Sequence, residues 1–521
     1  MANDLVKKDY NSKNAWEKFA SIADNIIYVL FFMLMLCSLC ILLFSNAVYS
    51  FKVYLNYSNI LLLTYGILTS IIVLLIISFT KDFKVNINKL TLVLFLLISY
   101  ISFNIAFQFK WDNYFVIRNA QLIAGGAESK DLSSYYFSMY PNNFFLLMIF
   151  TLILKIHNVI GIFNMNGNYM PVILFQCALM SMAARTLYLI IYDMCKKHNI
   201  ALFGFLLYSF SIVLSGMSVI TYSDQVALIF PLLVLRLFQL LDNKKHTMLK
   251  VIGIIVCSYI ALIIKPPTVI PLIAILLYAA VHSINKINKN IIKYIACVAI
   301  CIAILITGHG MVKDRFIAYS GLDIKKGGGM SPWHFVMMGL NKETQGLYSE
   351  EDVNFSLEVI SNNKNGSAQK AVAISRANEL IDSGEFLRHL ERKILNSLGD
   401  GSFYWYQVTS FKRGEFEDLN YHVTPFLKDI YLREGKIDKI AFQQSIWLTM
   451  LFISLFSIFL KKNKEQTLMI LSLIGFVLFM LIFEAGPRTL MNFMSYYIIL
   501  AMMVLSNLSD RIKRRFNKQQ N

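Results

Sequence analysis

"NIIYVLFFMLMLCSLCILLF" at residues 25–44 and "NILLLTYGILTSIIVLLIISF" at residues 59–79 decide what kind of chain this is. Each run has the length a helix needs to cross the hydrocarbon core of a bilayer, about 20 residues. A soluble helical protein shows apolar stripes at helical spacing instead of unbroken apolar blocks. The rest of the chain agrees. Its 521 residues are 56% hydrophobic and 16% charged, where soluble domains carry about a quarter charged residues. The sequence therefore reads as an all-α polytopic membrane protein. The net charge of +17 comes from Lys and Arg gathered in short segments between apolar runs. That pattern orients spans and attracts anionic lipid, and no stacking platform or basic helix argues for nucleic acid. Cys37, Cys40, Cys177, Cys195, Cys257, Cys297 and Cys301 lie in or beside apolar runs, with no readable disulfide framework or metal cluster. Lys7, Lys8, Lys13 and Lys18 precede a first run too long for a signal-peptide core, which predicts a retained signal-anchor and a cytoplasmic N-terminus.

Twelve spans are expected, at 24–45, 59–79, 91–108, 170–192, 199–219, 225–241, 250–265, 268–283, 293–308, 442–460, 467–484 and 489–507. A further apolar stretch, 144–163, is assigned by charge. The segments "TKDFKVNINK" (80–89), "CKKHN" (195–199), "DNKKHTMLK" (242–250), "HSINKINKNIIK" (282–293), "KKNKEQ" (461–466) and "DRIKRRFNK" (510–518) are all basic. With twelve crossings they all fall on the cytoplasmic side, as the positive-inside rule asks. A thirteenth crossing breaks this parity, so 144–163 is expected to lie against the outer face. Residues 1–308 then form a transmembrane module with an outer loop at 109–169. Residues 309–441 form an extracytoplasmic domain of mixed structure, and 442–521 add the last spans and a basic tail. Within the outer domain, "SAQKAVAISRANELIDSGEFLRHLERKILNSL" (367–398) reads as helical.

Polar residues collect at the outer ends of the spans, where charge is expensive unless it faces a cavity or a partner. Asp112, in "KWDNYFVIRNA" (110–120), is a candidate general base towards a hydroxyl, and its bland alternative is a solvated loop carboxylate. Tyr140, Asn142 and Asn143, in "SMYPNNFF" (138–145), suit a capped helix start; the amides also suit sugar hydroxyls. Tyr222 and Asp224 open the sixth span in "TYSDQVALIF" (221–230), with Asp224 as a second catalytic candidate or a plain N-cap. Lys265, in "IIKPPTVIP" (263–271), is a lysine on the side that positive-inside bias disfavours; it either holds a phosphate or snorkels. Glu484 and Arg488 share the short loop "FEAGPRTL" (483–490), as a phosphate clamp or as an ion pair closing the loop.

This ordering resembles the GT-C class of integral membrane glycosyltransferases, especially bacterial relatives of protein O-mannosyltransferases and the lipid A aminoarabinose transferase. The resemblance runs over roughly residues 90–510. It implies a sugar taken from a polyprenyl-phosphate carrier at the outer membrane face, with Asp112 as the base. Tyr140, Pro141 and Asn142 loosely match a "YPP"-like motif, Tyr222 and Asp224 a "Y-x-D", Lys265 a basic residue near a proline, and Glu484, Arg488 and Leu490 an "E-x-x-x-R-Y-L". The stretch "SPWHFVMMGLNKETQGLYSEEDV" (331–353) is similar to one in uncharacterised Gram-positive members. Two extra spans precede the Asp112 loop, the usual second acid is here Asn113, and "RYL" is "RTL" with Thr489. No motif demands a cofactor, and the resemblance admits a divalent metal. The expected activity is inverting transfer of a sugar to a glycan, lipid or protein acceptor of the cell envelope, at an outward-facing site in a multi-pass cell-membrane protein. The rivals are a polysaccharide polymerase, a lipid-linked-glycan flippase or transporter, and a non-catalytic assembly protein.

Overall fold

The computed structural model describes the chain apart from residues 1, 48–54, 56, 109–110, 162–168, 284–288, 326–327, 363–365, 411–416, 419–423, 434 and 521. The first residues of the outer loop 109–169, the end of 144–163 and part of the basic loop 282–293 thus lie outside the described residues. What is described is a helical bundle. The long helices are α1 (Ala2–Phe44), α2 (Asn59–Phe79) and α3 (Ile87–Ile105), then, after the short α4 (Asp112–Ala124) and α5 (Ser134–Met139), α6 (Phe144–Ile160) and α7 (Met170–Cys195). Next come α8 (His198–Tyr208), α9 (Ser223–Ala227) running into α10 (Ile229–Leu240), α11 (Thr247–Ile264), α12 (Ile270–Ser283) and α13 (Lys289–Ser320). Among the described residues, eleven helical stretches are long and apolar enough to span a bilayer, and His198–Val213 and Pro266–His282 are shorter apolar helices.

The basic loops meet at one face of this bundle. The Asp82 carboxylate accepts from the backbone N–H groups of His198 and Asn199 at 3.0 and 2.9 Å. Lys197 pairs with Asp510 at 2.8 Å, Lys464 pairs with Asp242, and His282 lies 3.3 Å from Asp24. Asn86 and Asn463 cap the helices that start there by accepting from Lys89 and Gln466 backbone N–H groups at 3.1 and 2.8 Å. We call this the basic face and the opposite one the site face.

By length and apolarity Pro141–Ile160 counts among the spans, but its contacts keep both of its ends at the site face. At its start Asn143 donates to Tyr222. Near its end Asn158 donates to the Ala124 carbonyl, and Lys155 sits 4.0 Å over the Tyr319 ring. The next helix starts at the same face, where the Tyr169 hydroxyl donates to the Phe107 carbonyl at 2.9 Å. Helices α4 and α6 therefore lie side by side along that face. Several observed boundaries differ from the expected ones: the spans expected at 199–219 and 268–283 are the shorter helices His198–Val213 and Pro266–His282, and the last one, expected to end at 507, runs on to Gln520. The span expected at 293–308 continues as helix to Ser320, through "GHGMVKDRFIAYS", because polar side chains end an apolar run without breaking a helix. The expected third span at 91–108 is helix over Ile87–Ile105.

A helical layer covers the site face: α14 (Pro332–Gly339), α15 (Glu350–Ser361), α16 (Ser367–Asp382), α17 (Phe386–Leu398), α18 (Trp405–Ser410) and α19 (Pro425–Leu432). Its described part is helical, apart from a two-residue antiparallel pairing of Phe107–Gln108 with Glu417–Asp418, where mixed structure was expected. The helix expected over 367–398 is two helices, broken at Gly384 with φ +70°, a left-handed C-terminal stop that glycine takes without Cβ strain. The layer is braced by a buried Asp352 carboxylate that receives both arms of Arg376 at 2.7 and 2.9 Å. The chain then returns through α20 (Lys436–Leu455), α21 (Lys464–Ile482) and α22 (Leu490–Gln520). These last helices are the centre of the bundle: Trp447, Phe476, Phe493, Tyr496 and Tyr497 are fully buried.

Candidate functional site

The site face gathers most of the residues singled out in the sequence. Asp112 sits in the first turn of α4, half-buried, and accepts from the Tyr222 hydroxyl at 3.2 Å. Burial raises the Tyr222 phenol, so it stays protonated and donates. The Asn143 amide is buried beneath both and donates to the hydroxyls of Tyr136 at 2.7 Å and Tyr222 at 3.2 Å. One amide thus orients two phenols, both of which interact with Asp112. Tyr140 stacks obliquely on Tyr136 with ring centroids 5.3 Å apart. Asn142 is exposed at the rim and reaches the Asn143 oxygen at 3.4 Å.

Asp224 is placed differently. It is 1% exposed and ion-paired with Lys265, whose ammonium reaches it from the end of α11. Arg488 approaches its other oxygen at 4.0 Å. The Asn492 amide donates to the Asp224 backbone carbonyl at 2.8 Å, pinning the start of α9 to α22. The sequence left Lys265 without an evident partner and offered Glu484 to Arg488. The structure gives both cations to Asp224 instead, because Tyr222-Ser223-Asp224 folds inward under the loop that carries Arg488. The guanidinium of Arg488 lies 5.1 Å from the Trp111 ring and 5.6 Å from the Tyr222 ring. It is held by stacking more than by hydrogen bonds, which leaves its donor fork open to a ligand.

Glu484 is half-buried in the same loop. Burial pushes its carboxyl up to about 7, against the pull of Arg488, with Asp112 adding to the rise. Lys393 on α17 is fully buried beside it. It donates to the carbonyls of Gly339 at 2.8 Å and Phe483 at 2.6 Å, and burial lowers its ammonium to about 7.

The stretch 331–353 docks on this loop. A Cβ on Gly339 would lie 2.6 Å from the Phe483 carbonyl, so only glycine allows that approach. The Gly346 carbonyl accepts from the Ala485 backbone N–H at 2.7 Å. Sequence reasoning missed Tyr136, Lys393 and Tyr404 as members of this neighbourhood. Lys393 falls within the expected helix 367–398 without a signal of its own, and the fold buries it against the Glu484 loop.

The residues do not fit a divalent metal. Asn113, the uncharged neighbour of Asp112, is buried in the packing of α4, and Asp224 is engaged by Lys265 and Arg488. Among the described residues no group of three His, Cys, Asp or Glu is placed to hold a metal ion.

Eleven apolar helices of span length among the described residues define a multi-pass integral membrane protein. The chain belongs to a family of conserved hypothetical integral membrane proteins, whose profile matches residues 17–509. No curated protein and no solved structure matches it at a significant level.

Proposed function

We propose that the protein is a glycosyltransferase that moves a sugar from a polyprenyl-phosphate carrier to a cell-envelope acceptor. By the positive-inside rule the basic face is cytoplasmic, so the site face looks outward. The observation that carries the reading is the contrast within the cluster. A half-buried carboxylate, Asp112, stands in one cluster with two cations at the edge of the spans: Lys265, ion-paired with the buried Asp224, and Arg488, 4.0 Å from that same carboxylate. Asp112 takes the proton of an acceptor hydroxyl. The hydroxyl oxygen then bonds to the anomeric carbon from the face opposite the phosphate, so the configuration inverts. The bond from that carbon to the phosphate oxygen breaks, and the electron pair leaves on the carrier phosphate. Arg488 and Lys265 stabilise the charge that develops there. Asp224 holds these cations rather than reacting. Tyr222 and Asn143 orient Asp112, and the layer at 331–398 covers the site and excludes water.

The test is turnover of a synthetic polyprenyl-phosphate sugar by the purified chain in nanodiscs. Acceptor-dependent release of polyprenyl phosphate supports the reading. A chain that neither binds nor cleaves the carrier ends it, and movement of intact carrier between leaflets without cleavage favours a flippase.

A further inference from the structure

The segment "DGSFYWY" (400–406) holds two consecutive non-glycine residues in the left-handed region, Phe403 at φ +61° and Tyr404 at φ +77°. Each is a strained conformation that persists only where the surroundings over-determine it. Here they do. The buried Asp400 carboxylate accepts from the backbone N–H of Ser402 at 2.7 Å, the Ser402 hydroxyl at 2.6 Å and the backbone N–H of Tyr404 at 2.8 Å. The Gly401 N–H donates to Gln444 at 2.7 Å. On the far side, the fully buried Trp405 ring lies where a Cβ on Gly216 would be 2.6 Å from it, and its indole donates to the Tyr431 carbonyl at 2.9 Å.

Core packing accounts for Phe403 and Trp405, whose rings are fully buried. It does not account for Tyr404, which is half-buried, and glycine would take that backbone at less cost. What the strained turn achieves is to set the Tyr404 ring 6.1 Å from the Trp111 ring. Trp111 in turn carries the Arg488 guanidinium on its face.

Resting on the glycosyltransferase reading, we infer that Tyr404 is a positioning residue, which through Trp111 aims the Arg488 fork at the phosphate of the lipid carrier. Among the described residues the carboxylate that Arg488 pairs with is Asp224, at 4.0 Å, a distance too long to fix its direction. An aromatic stack locks a planar cation without occupying its N–H donors. A strained aromatic turn is therefore a means of holding an arginine rigid and still free to bind.

The test exploits the dihedral. Tyr404→Gly removes the ring and relieves the backbone, so the full-length variant in nanodiscs should unfold at the same temperature as wild type or a higher one. Its affinity for polyprenyl monophosphate should fall roughly two- to tenfold, the range of one aromatic pair contact. Tyr404→Phe should restore it. In an Arg488→Ala background, Tyr404→Gly should cause no further loss, since the effect runs through that arginine. Unchanged affinity in Tyr404→Gly, or an equal additional loss without Arg488, overturns the inference while leaving the parent reading intact. Wild-type protein that binds no polyprenyl monophosphate overturns both.

Discussion

Asp112 and Asp224 stand at one face of one bundle, each in the first turn of a short helix, and differ in burial and in partners. Asp112 starts a short helix lying along the face, is half-buried, and touches neutral phenols. Asp224 starts a helix that enters the bundle, is buried, and touches Lys265 and Arg488. The difference separates the roles that sequence alone had assigned to both. A group that must accept a proton needs an open side and no cation already holding its charge. A group that must position cations needs the reverse. The pair is thus one candidate reagent and one fixture, and each role can be broken separately.

The largest effect is expected at the open carboxylate. Asp112→Asn keeps shape and the Tyr222 contact but cannot accept the acceptor's proton. Transfer should fall by about 10²–10⁴-fold, the usual worth of general-base assistance. Carrier affinity and expression should stay near wild type. Steady-state transfer with a direct carrier-binding measurement separates the two, and full activity in Asp112→Asn would remove the base from the mechanism.

The fixture should show itself in stability. Asp224→Ala leaves Lys265 buried without its partner, which should lower unfolding stability by roughly 3–5 kcal/mol. Replacing both members, Asp224→Leu with Lys265→Met, should recover most of that loss because no charge is left buried. Transfer should remain absent in the single and the double variant. Denaturant titration in detergent reads the first part. Equal stability of Asp224→Ala and wild type would mean that Asp224 is not holding the cations.

How much of this was legible in the sequence follows from what each signal measures. Apolar runs gave the helices and basic loops gave their order, since lipid exposure and loop charge are properties of local composition. Which span is central was not legible by hydropathy. The span Ala296–Ser320 has a mean hydropathy of 1.9 and buries none of its window, while Pro487–Asn517 has 1.6 and is almost wholly buried. The better marker is polarity inside the run: Asn492, Ser495 and Ser509 on α22 are buried, whereas Ile300, Ile304 and Ile306 on α13 are exposed. Of the site, the polar residues at span ends were readable, because charge there needs a reason. Their pairing was not. Lys265 finds Asp224 across 41 positions, and Arg488 finds Trp111 from the other end of the chain. Tyr404 needed a dihedral angle, which composition does not carry.

The smallest expected effect separates the cations of the fixture from the groups around them, and it depends on pH. Glu484 and Lys393 both titrate near 7, the acid raised by burial and the ammonium lowered by burial. Arg488, Lys265 and Asp112 face Glu484, and the phenols of Tyr140 and Tyr348 lie close enough to feel it. As pH rises from 6 to 8, Glu484 goes from neutral to negative and Lys393 from positive to neutral. Both changes take positive charge from the site, so affinity for an anionic headgroup should fall with rising pH. A tenfold change corresponds to 1.36 kcal/mol, and roughly two- to tenfold is expected across this window. The carrier's own phosphate gains charge near pH 6, which acts in the opposite direction. Comparison with Glu484→Gln cancels that contribution, because the ligand is the same in both arms. The ratio of wild-type to Glu484→Gln affinity should therefore decline between pH 6 and 8, and a flat ratio would show that Glu484 does not titrate within reach of the carrier.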